Sequence, residues 1–131
     1  MICADTSSVI AYFQGEQGQD VEVVDRALAD RSLVLAPVSI VELLCDPNLA
    51  PSLESFVLRI PQLGTTSGYW ERAGKLRAKM LQHRFRYKLA DSLIAQSCLD
   101  HEVPLVTRDR DFLAFHKLTG LHLLSPPSRV Q

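Results

Sequence analysis

Several residue types and patterns are scarce in this chain, and each shortage closes off a class of protein. Cysteine is rare. Cys3, Cys45 and Cys98 are isolated, odd in number and never in C-x-x-C spacing, so neither a zinc site nor a disulfide framework is indicated. All three have apolar neighbours and are expected to be buried, reduced core residues. No apolar run approaches the roughly 20 residues that span a bilayer. The start, Met1-Ile2-Cys3-Ala4-Asp5, has no basic region ahead of a long apolar one and does not read as a signal peptide. A cytoplasmic protein without membrane contact is the expectation. Charge of one sign is not in excess either: the formal net charge is -1, so any nucleic-acid binding must rest on a local patch. His83, His101, His116 and His122 lie in different surroundings without H-x-x-x-H spacing and read as surface or boundary residues. There is no Gly-rich phosphate loop and no Ser-His-Asp or Cys-His arrangement.

What is present is a chain of 131 residues, 47% hydrophobic, the size and composition of one packed domain over residues 1–131. Short apolar runs at Ile2–Ala4, Leu33–Ala36, Leu105–Thr107 and Leu121–Leu124 read as buried strands. Helical spacing follows Asp5, runs from Val21 to about Asp30, opens at Ser39, resumes at least in part over Leu53–Ile60, and continues from about Tyr69 to His83 and from Tyr87 to about Asp100. In this last helix Leu89, Leu93, Ile94 and Cys98 are expected to face inward. A short helix follows Asp111. The predicted order is β-α-α-β-α-α-α-β-α-β, with a weak extra strand near Ile60–Leu63. Short strands alternating with helices predict an α/β fold, a short and mainly parallel central sheet with helices on both faces. In such folds sites form beyond the carboxyl ends of the strands.

Acids stand at those ends. Asp5 follows the first strand and Asp109 the Leu105–Thr107 strand. Asp5 reads equally as a helix N-cap, although Thr6, Ser7 and Ser8 follow and any of them could take that role. Ser39-x-x-Glu42 has the form of a capping box, yet Glu42 sits among Ile40, Val41, Leu43 and Leu44, where an ionised acid needs a partner or a metal. Asp91 lies near the start of an apolar helix, as an acid meeting the helix dipole or pairing with Arg86 and Lys88 would. Asp109 and Asp111 are turn or capping acids on the bland reading, and Asp111 is the better placed to cap the helix after it. If the fold gathers them, carboxylates raise each other's pKa values unless a divalent cation compensates, and hard oxygen ligands suit Mg2+ or Mn2+.

Arg72, Lys75, Arg77, Lys79, Arg84, Arg86 and Lys88 concentrate half of the 14 Lys and Arg residues in one segment. This is either a solvated helix face or a track for a phosphate backbone leading to Asp91, with Arg77, Lys79, Arg84, Arg86 and Lys88 as its contacts. Tyr87 or Phe85 is placed to stack on a base of single-stranded RNA, core packing being the stronger alternative for Phe85.

These residues together resemble the PIN-domain ribonucleases, most closely the VapC-type toxins of bacterial toxin–antitoxin pairs. The markers are Asp5-Thr6-Ser7 after an N-terminal strand, Glu42 in Ser39-Ile40-Val41-Glu42-Leu43-Leu44, Asp91 in Leu89-Ala90-Asp91-Ser92-Leu93-Ile94-Ala95, and Val106-Thr107-Arg108-Asp109-Arg110-Asp111-Phe112. The resemblance spans nearly the whole chain. It implies a three-layer α/β/α sandwich and an endoribonuclease using Mg2+ or Mn2+. Asp5, Glu42, Asp91 and Asp109 would be the catalytic and metal-binding acids, Asp111 an auxiliary, and Thr6 or Thr107 supports through hydrogen bonds. It further implies RNA as substrate, a homodimer, and a cognate antitoxin whose C-terminal segment lies in the active-site groove. Ser7 departs from the family's frequent Asn, no glycine follows Glu42 closely, and Asp46–Pro61 matches least. A domain of this fold that only binds RNA or a protein is disfavoured by acids at all four positions. A phosphoryl-accepting domain is disfavoured by Ser7 two residues after Asp5, by the lack of an early acid pair, and by Arg108 rather than Lys after the late strand.

Overall fold

A computed structural model describes residues 1–124. The expected domain extends further, and Pro126 and Pro127, read as the stop after the last strand, lie outside the described residues. Four strands, β1 (Ile2–Ala4), β2 (Leu33–Val34), β3 (Leu105–Val106) and β4 (Leu123–Leu124), form one sheet in the order β2-β1-β3-β4. Every pairing is parallel, with Cys3 opposite both Val34 and Leu105, and Val106 opposite Leu124. Seven helices accompany them among the described residues: α1 (Thr6–Phe13), α2 (Gln19–Ala29), α3 (Pro37–Leu44), α4 (Pro51–Arg59), α5 (Tyr69–Gln82), α6 (Leu89–His101) and α7 (Phe112–Thr119).

The strands are short and apolar because both faces are covered. Side chains alternate across a strand, and the two core clusters divide accordingly. Cys3, Val34, Leu105 and Leu123 enter the core shared with α5, α6 and α7. Ala4, Leu33, Leu35 and Val106 enter the one shared with α1, α2 and α4. This is the expected three-layer α/β/α sandwich. The chain leaves β1 to build β2 on one side and later returns to build β3 on the other. The crevice beyond the carboxyl ends of β1 and β3 is therefore the switch point where open parallel sheets place their sites. Helix α6 has buried residues around much of its circumference, from Asp91 and Ser92 through Ile94–Cys98, as a helix wedged between other elements must. That is why its polar residues are carried inside.

Several expectations are corrected. Four helices, not three, separate β2 from β3, because Pro51–Arg59 forms a complete helix with Pro51 at its first position, Glu54 in its first turn and Arg59 in its last. Helix α3 begins at Pro37 rather than Ser39, so Ser39 lies inside the first turn and no capping box forms. Pro37 both ends the strand segment and preorganises the helix. The weak strand near Ile60–Leu63 reduces to a single parallel bridge between Leu35 and Gln62. Leu89, expected to face inward, is 59% exposed, because α6 starts at Leu89 and its first residue lies outside the packed layer. Cys3 and Cys98 are buried, but Cys45 is exposed at the C-cap of α3. Its apolar neighbours turn inward and its thiol donates to the Glu42 carbonyl at 3.1 Å.

Thiol titration checks this arrangement. One cysteine of the native protein should react quickly with a bulky disulfide reagent, and Cys45→Ser should abolish that phase. Cys3 and Cys98 should react only on unfolding; two or more fast thiols in the native protein would contradict the packing around β1 and α6.

Candidate metal centre

Asp5 stands at the N-cap position of α1, yet its carboxylate makes no capping bond. The three hydroxyl residues after it do not cap either. The Ser7 hydroxyl instead donates to Asp5 Oδ2 at 2.6 Å, and Thr107 Oγ1 donates to the same oxygen at 2.8 Å. The second bond spans 102 residues in sequence and follows from strand pairing, since the Asp5 amide donates to the Val106 carbonyl at 2.9 Å. Thr107 Oγ1 also accepts the Asp109 amide at 2.9 Å, and Asp109 Oδ1 accepts the Asp111 amide at 2.9 Å. Asp109 is thus the residue that caps the turn into α7. Asp111, the expected cap, occupies the N-cap position with helical backbone and no side-chain capping bond, which leaves its carboxylate free to face the other acids. On the far side of Asp5, Thr6 Oγ1 donates to Glu42 Oε1 at 2.7 Å. A hydrogen-bonded row therefore runs from Asp111 through Asp109 and Thr107 to Asp5, and Glu42 joins it through Thr6, the neighbour of Asp5.

Asp91 completes the constellation from α6. It is 6% exposed, and its Oδ2 is buried without a hydrogen-bond partner. Oxygens of Asp91, Asp109 and Asp111 lie within 4.8 Å of one another. Burial, then the charges of Asp109, Asp5 and Asp111, push the Asp91 carboxyl up to about 7, against a weaker pull from the Lys88 backbone N–H. Asp5 is raised as well: burial and the charges of Asp109 and Glu42 outweigh the hydrogen bonds from Ser7 and Thr107. Burial and Asp109 raise Asp111, while Lys88 pulls it down. Tyr87 borders the same cluster, its phenol raised by burial and then by Asp111, Asp109 and Asp91.

Residues 2–118 match the PIN domain family. The chain belongs to the PIN domain family. Its fold is shared with solved members of toxin–antitoxin complexes. Over 98% of this chain and 100% of the other, it resembles a chain of the toxin–antitoxin complex from Klebsiella pneumoniae, with 16% identity and a TM-score of 0.70. A chain of VapBC2 from Rickettsia felis, solved bound to a DNA fragment from its promoter, gives 19% identity and 0.72 over 95% and 98%. VapBC-1 from nontypeable Haemophilus influenzae gives 18% and 0.72 over 95% and 98%. At such identities the likeness establishes the PIN fold. No curated protein matches this chain in sequence.

Of the acids singled out from sequence, this PIN domain gathers Asp91 and Asp109 most closely, with Asp111 as third member rather than helix cap. Asp5 lies behind them, coupled to both. Glu42 stands at the edge, held by Thr6. The basic segment divides. Arg77 donates to the Tyr87 carbonyl at 2.6 Å and Lys79 to the Leu118 carbonyl at 2.8 Å, so both brace the fold. Arg72 pairs with Asp100 at 2.7 Å. Arg84, Arg86 and Lys88 are exposed beside the start of α6. Phe85 packs on the core, the stronger of the two readings for it, and its ring stacks on that of Tyr87 with centroids 5.5 Å apart, so Tyr87 shares that packing. Ser7 escaped notice as a support, because a hydroxyl after a strand reads first as a cap.

The buried acid has a stability signature. The Asp91 carboxyl titrates near 3.8 when unfolded and about 7 when folded, so the folded state holds the extra proton. The metal-free protein should lose stability as pH rises from about 4 to 7 through this group. Asp91→Asn should raise the melting temperature in EDTA by several degrees at pH 8, with the gain vanishing near pH 4, as differential scanning calorimetry would read. A variant less stable than wild type at pH 8 would mark Asp91 as a structural acid.

Proposed function

We propose that this chain is a divalent-metal-dependent endoribonuclease and the toxin of a toxin–antitoxin pair. Asp5, Glu42, Asp91 and Asp109 would be its catalytic acids, hydrolysing RNA phosphodiester bonds. The observation that carries the reading is Asp91, a buried carboxylate with an unpartnered oxygen, pushed to about 7 and set among three further acids. Folding tolerates such repulsion where a cation offsets it. The donors are carboxylate oxygens without thiol or imidazole, which fits Mg2+ or Mn2+ rather than a softer metal. Asp91, Asp109 and Asp111 would hold the ion with Asp5, and Glu42 would act from the edge. A bound ion of this kind supplies Lewis acidity, acidifying water and offsetting charge on the phosphodiester.

The chain's own residues supply the rest. Thr107 keeps Asp5 and Asp109 in fixed relation through one hydroxyl, and Thr6 holds Glu42. Arg84, Arg86 and Lys88, exposed beside the site, would take the RNA backbone, with Arg77 and Lys79 as braces behind them. The toxin reading draws on PIN-family membership together with the shared fold of the VapBC chains. A cognate antitoxin is the proposed protein partner, and a homodimer the proposed assembly.

The purified, partner-free protein should cut one or more RNAs in a panel of structured and single-stranded substrates with Mg2+ or Mn2+. Cutting should stop in EDTA and in Asp5→Asn. A folded protein that binds metal and cuts nothing in the panel would favour a domain that only binds RNA or a protein. Replacing both Arg84 and Arg86 by Ala should weaken RNA binding and lower the slope of log affinity against log salt by about 1–2. An unchanged slope would remove these residues from the RNA path.

A further inference from the structure

A second polar cluster lies outside the acidic row, centred on a buried acid of which the mechanism above makes no use. Asp20, in the first turn of α2, is 6% exposed. Its Oδ2 accepts Ser8 Oγ at 2.7 Å, and Ser8 is wholly buried on α1, three residues after Asp5. The same carboxylate accepts Arg108 through both oxygens, from Nε at 2.8 Å and Nη2 at 3.0 Å. Arg108 also donates to the Gln17 carbonyl at 3.1 Å and to Glu16 at 3.2 Å. Burial raises Asp20, but the bonds from Arg108 and Ser8 outweigh it and hold the carboxyl below its usual range, so the pair is ionised. Gly18 is fitted to this contact. Its φ is +151°, and a Cβ there would come within 2.6 Å of Asp20 Oδ1 and 3.0 Å of Arg108 Nη2.

The sequence position of Arg108 gives the cluster its meaning. It stands between Thr107, which bonds Asp5, and Asp109, so its side chain leaves the acidic row and grips the α1–α2 connection behind it. Ser8 ties the first turn of α1 to the same carboxylate. One buried acid thereby fastens both strand-end segments that carry Asp5 and Asp109. We infer that Asp20 and Arg108 are positioning residues, a clamp that fixes Asp5 against Asp109 and so sets the divalent-cation affinity of the acidic row. The inference rests on the metal-centre reading above and deepens it.

The test is Mn2+ binding by calorimetry on the whole chain, beside its melting temperature. Arg108→Gln and Asp20→Asn should each weaken Mn2+ binding by roughly 10–100-fold, the usual cost of removing a group that orients ligands. The double variant should bind no more weakly than the weaker single one. Gly18→Ala should weaken binding in the same direction with no charge changed, and carries the test if Arg108→Gln fails to fold. Charge alone predicts the opposite for Arg108→Gln, since losing a cation near the acids would tighten Mn2+. Arg72→Gln is the control: it breaks another bidentate ion pair, to Asp100 near the far end of α6 from Asp91, and should lower the melting temperature while Mn2+ affinity holds. Wild-type affinity in Arg108→Gln or Gly18→Ala, or a parallel loss in Arg72→Gln, would overturn the clamp alone. Failure of the wild type to bind Mn2+ would overturn the metal centre and the clamp together.

Discussion

Carboxylates crowded at the end of a sheet repel one another, and holding them there is the constraint on which the rest of this structure turns. The repulsion is visible in Asp5, Asp91 and Asp111, all raised by burial and by neighbouring acids. No single bond could hold such a set. The work is shared by the parallel pairing of β1 with β3, which brings residues 5 and 107 side by side, and by the Thr107 hydroxyl, which binds two groups at once. A further share falls to α6, whose packing against its neighbours leaves Asp91 buried. The core is large relative to the site for this reason: stability gained by burying Phe112, Phe115, Ile94 and Val57 offsets what the acids cost.

The division between what the sequence reveals and what it hides follows the physics of each signal. Strand positions are legible because both faces are buried and the runs are uniformly apolar. Placement of acids beyond β1 and β3 is legible from topology, since open parallel sheets put sites at their carboxyl ends. Helix starts are less legible. Ser39-x-x-Glu42 satisfies the capping-box pattern, but Pro37 sets the helix start two residues earlier and Glu42 is claimed instead by Thr6, 36 residues away. Local patterns cannot report a partner that only the fold supplies. The same limit explains Asp111, whose apparent capping role is taken by Asp109, and Cys45, whose apolar neighbours say nothing of which way the thiol turns.

The basic segment illustrates a different limit. Seven cations between residues 72 and 88 look alike in sequence. In the fold Arg72, Arg77 and Lys79 each satisfy a defined acceptor, Lys75 is exposed on α5, and the three at the end of the segment stand exposed next to the start of α6. Arginine side chains are well suited to the first role because a planar guanidinium can serve several acceptors at once. A count of charges therefore overstates the electrostatic surface, and the partition has to be read from acceptors.

That partition bears on how a chain with a net charge of -1 could approach a polyanion at all. A uniformly basic protein attracts nucleic acid over its whole surface; this one has an acidic row that would repel phosphate, flanked by exposed cations. Potential at a cleft depends on local arrangement rather than on the sum, and screening confines each charge to about 10 Å at ordinary salt. Arg84, Arg86 and Lys88 lie within a few residues of Asp91 in sequence, at the entry to its helix, so attraction would be felt where the acids need it offset. A divalent cation in the row would offset part of the negative charge that otherwise opposes a polyanion. Metal and polyanion binding should therefore be mutually reinforcing: the cation lessens the repulsion of phosphate by the acids, the phosphates add negative charge that attracts the cation, and reciprocity between the two is required by linkage.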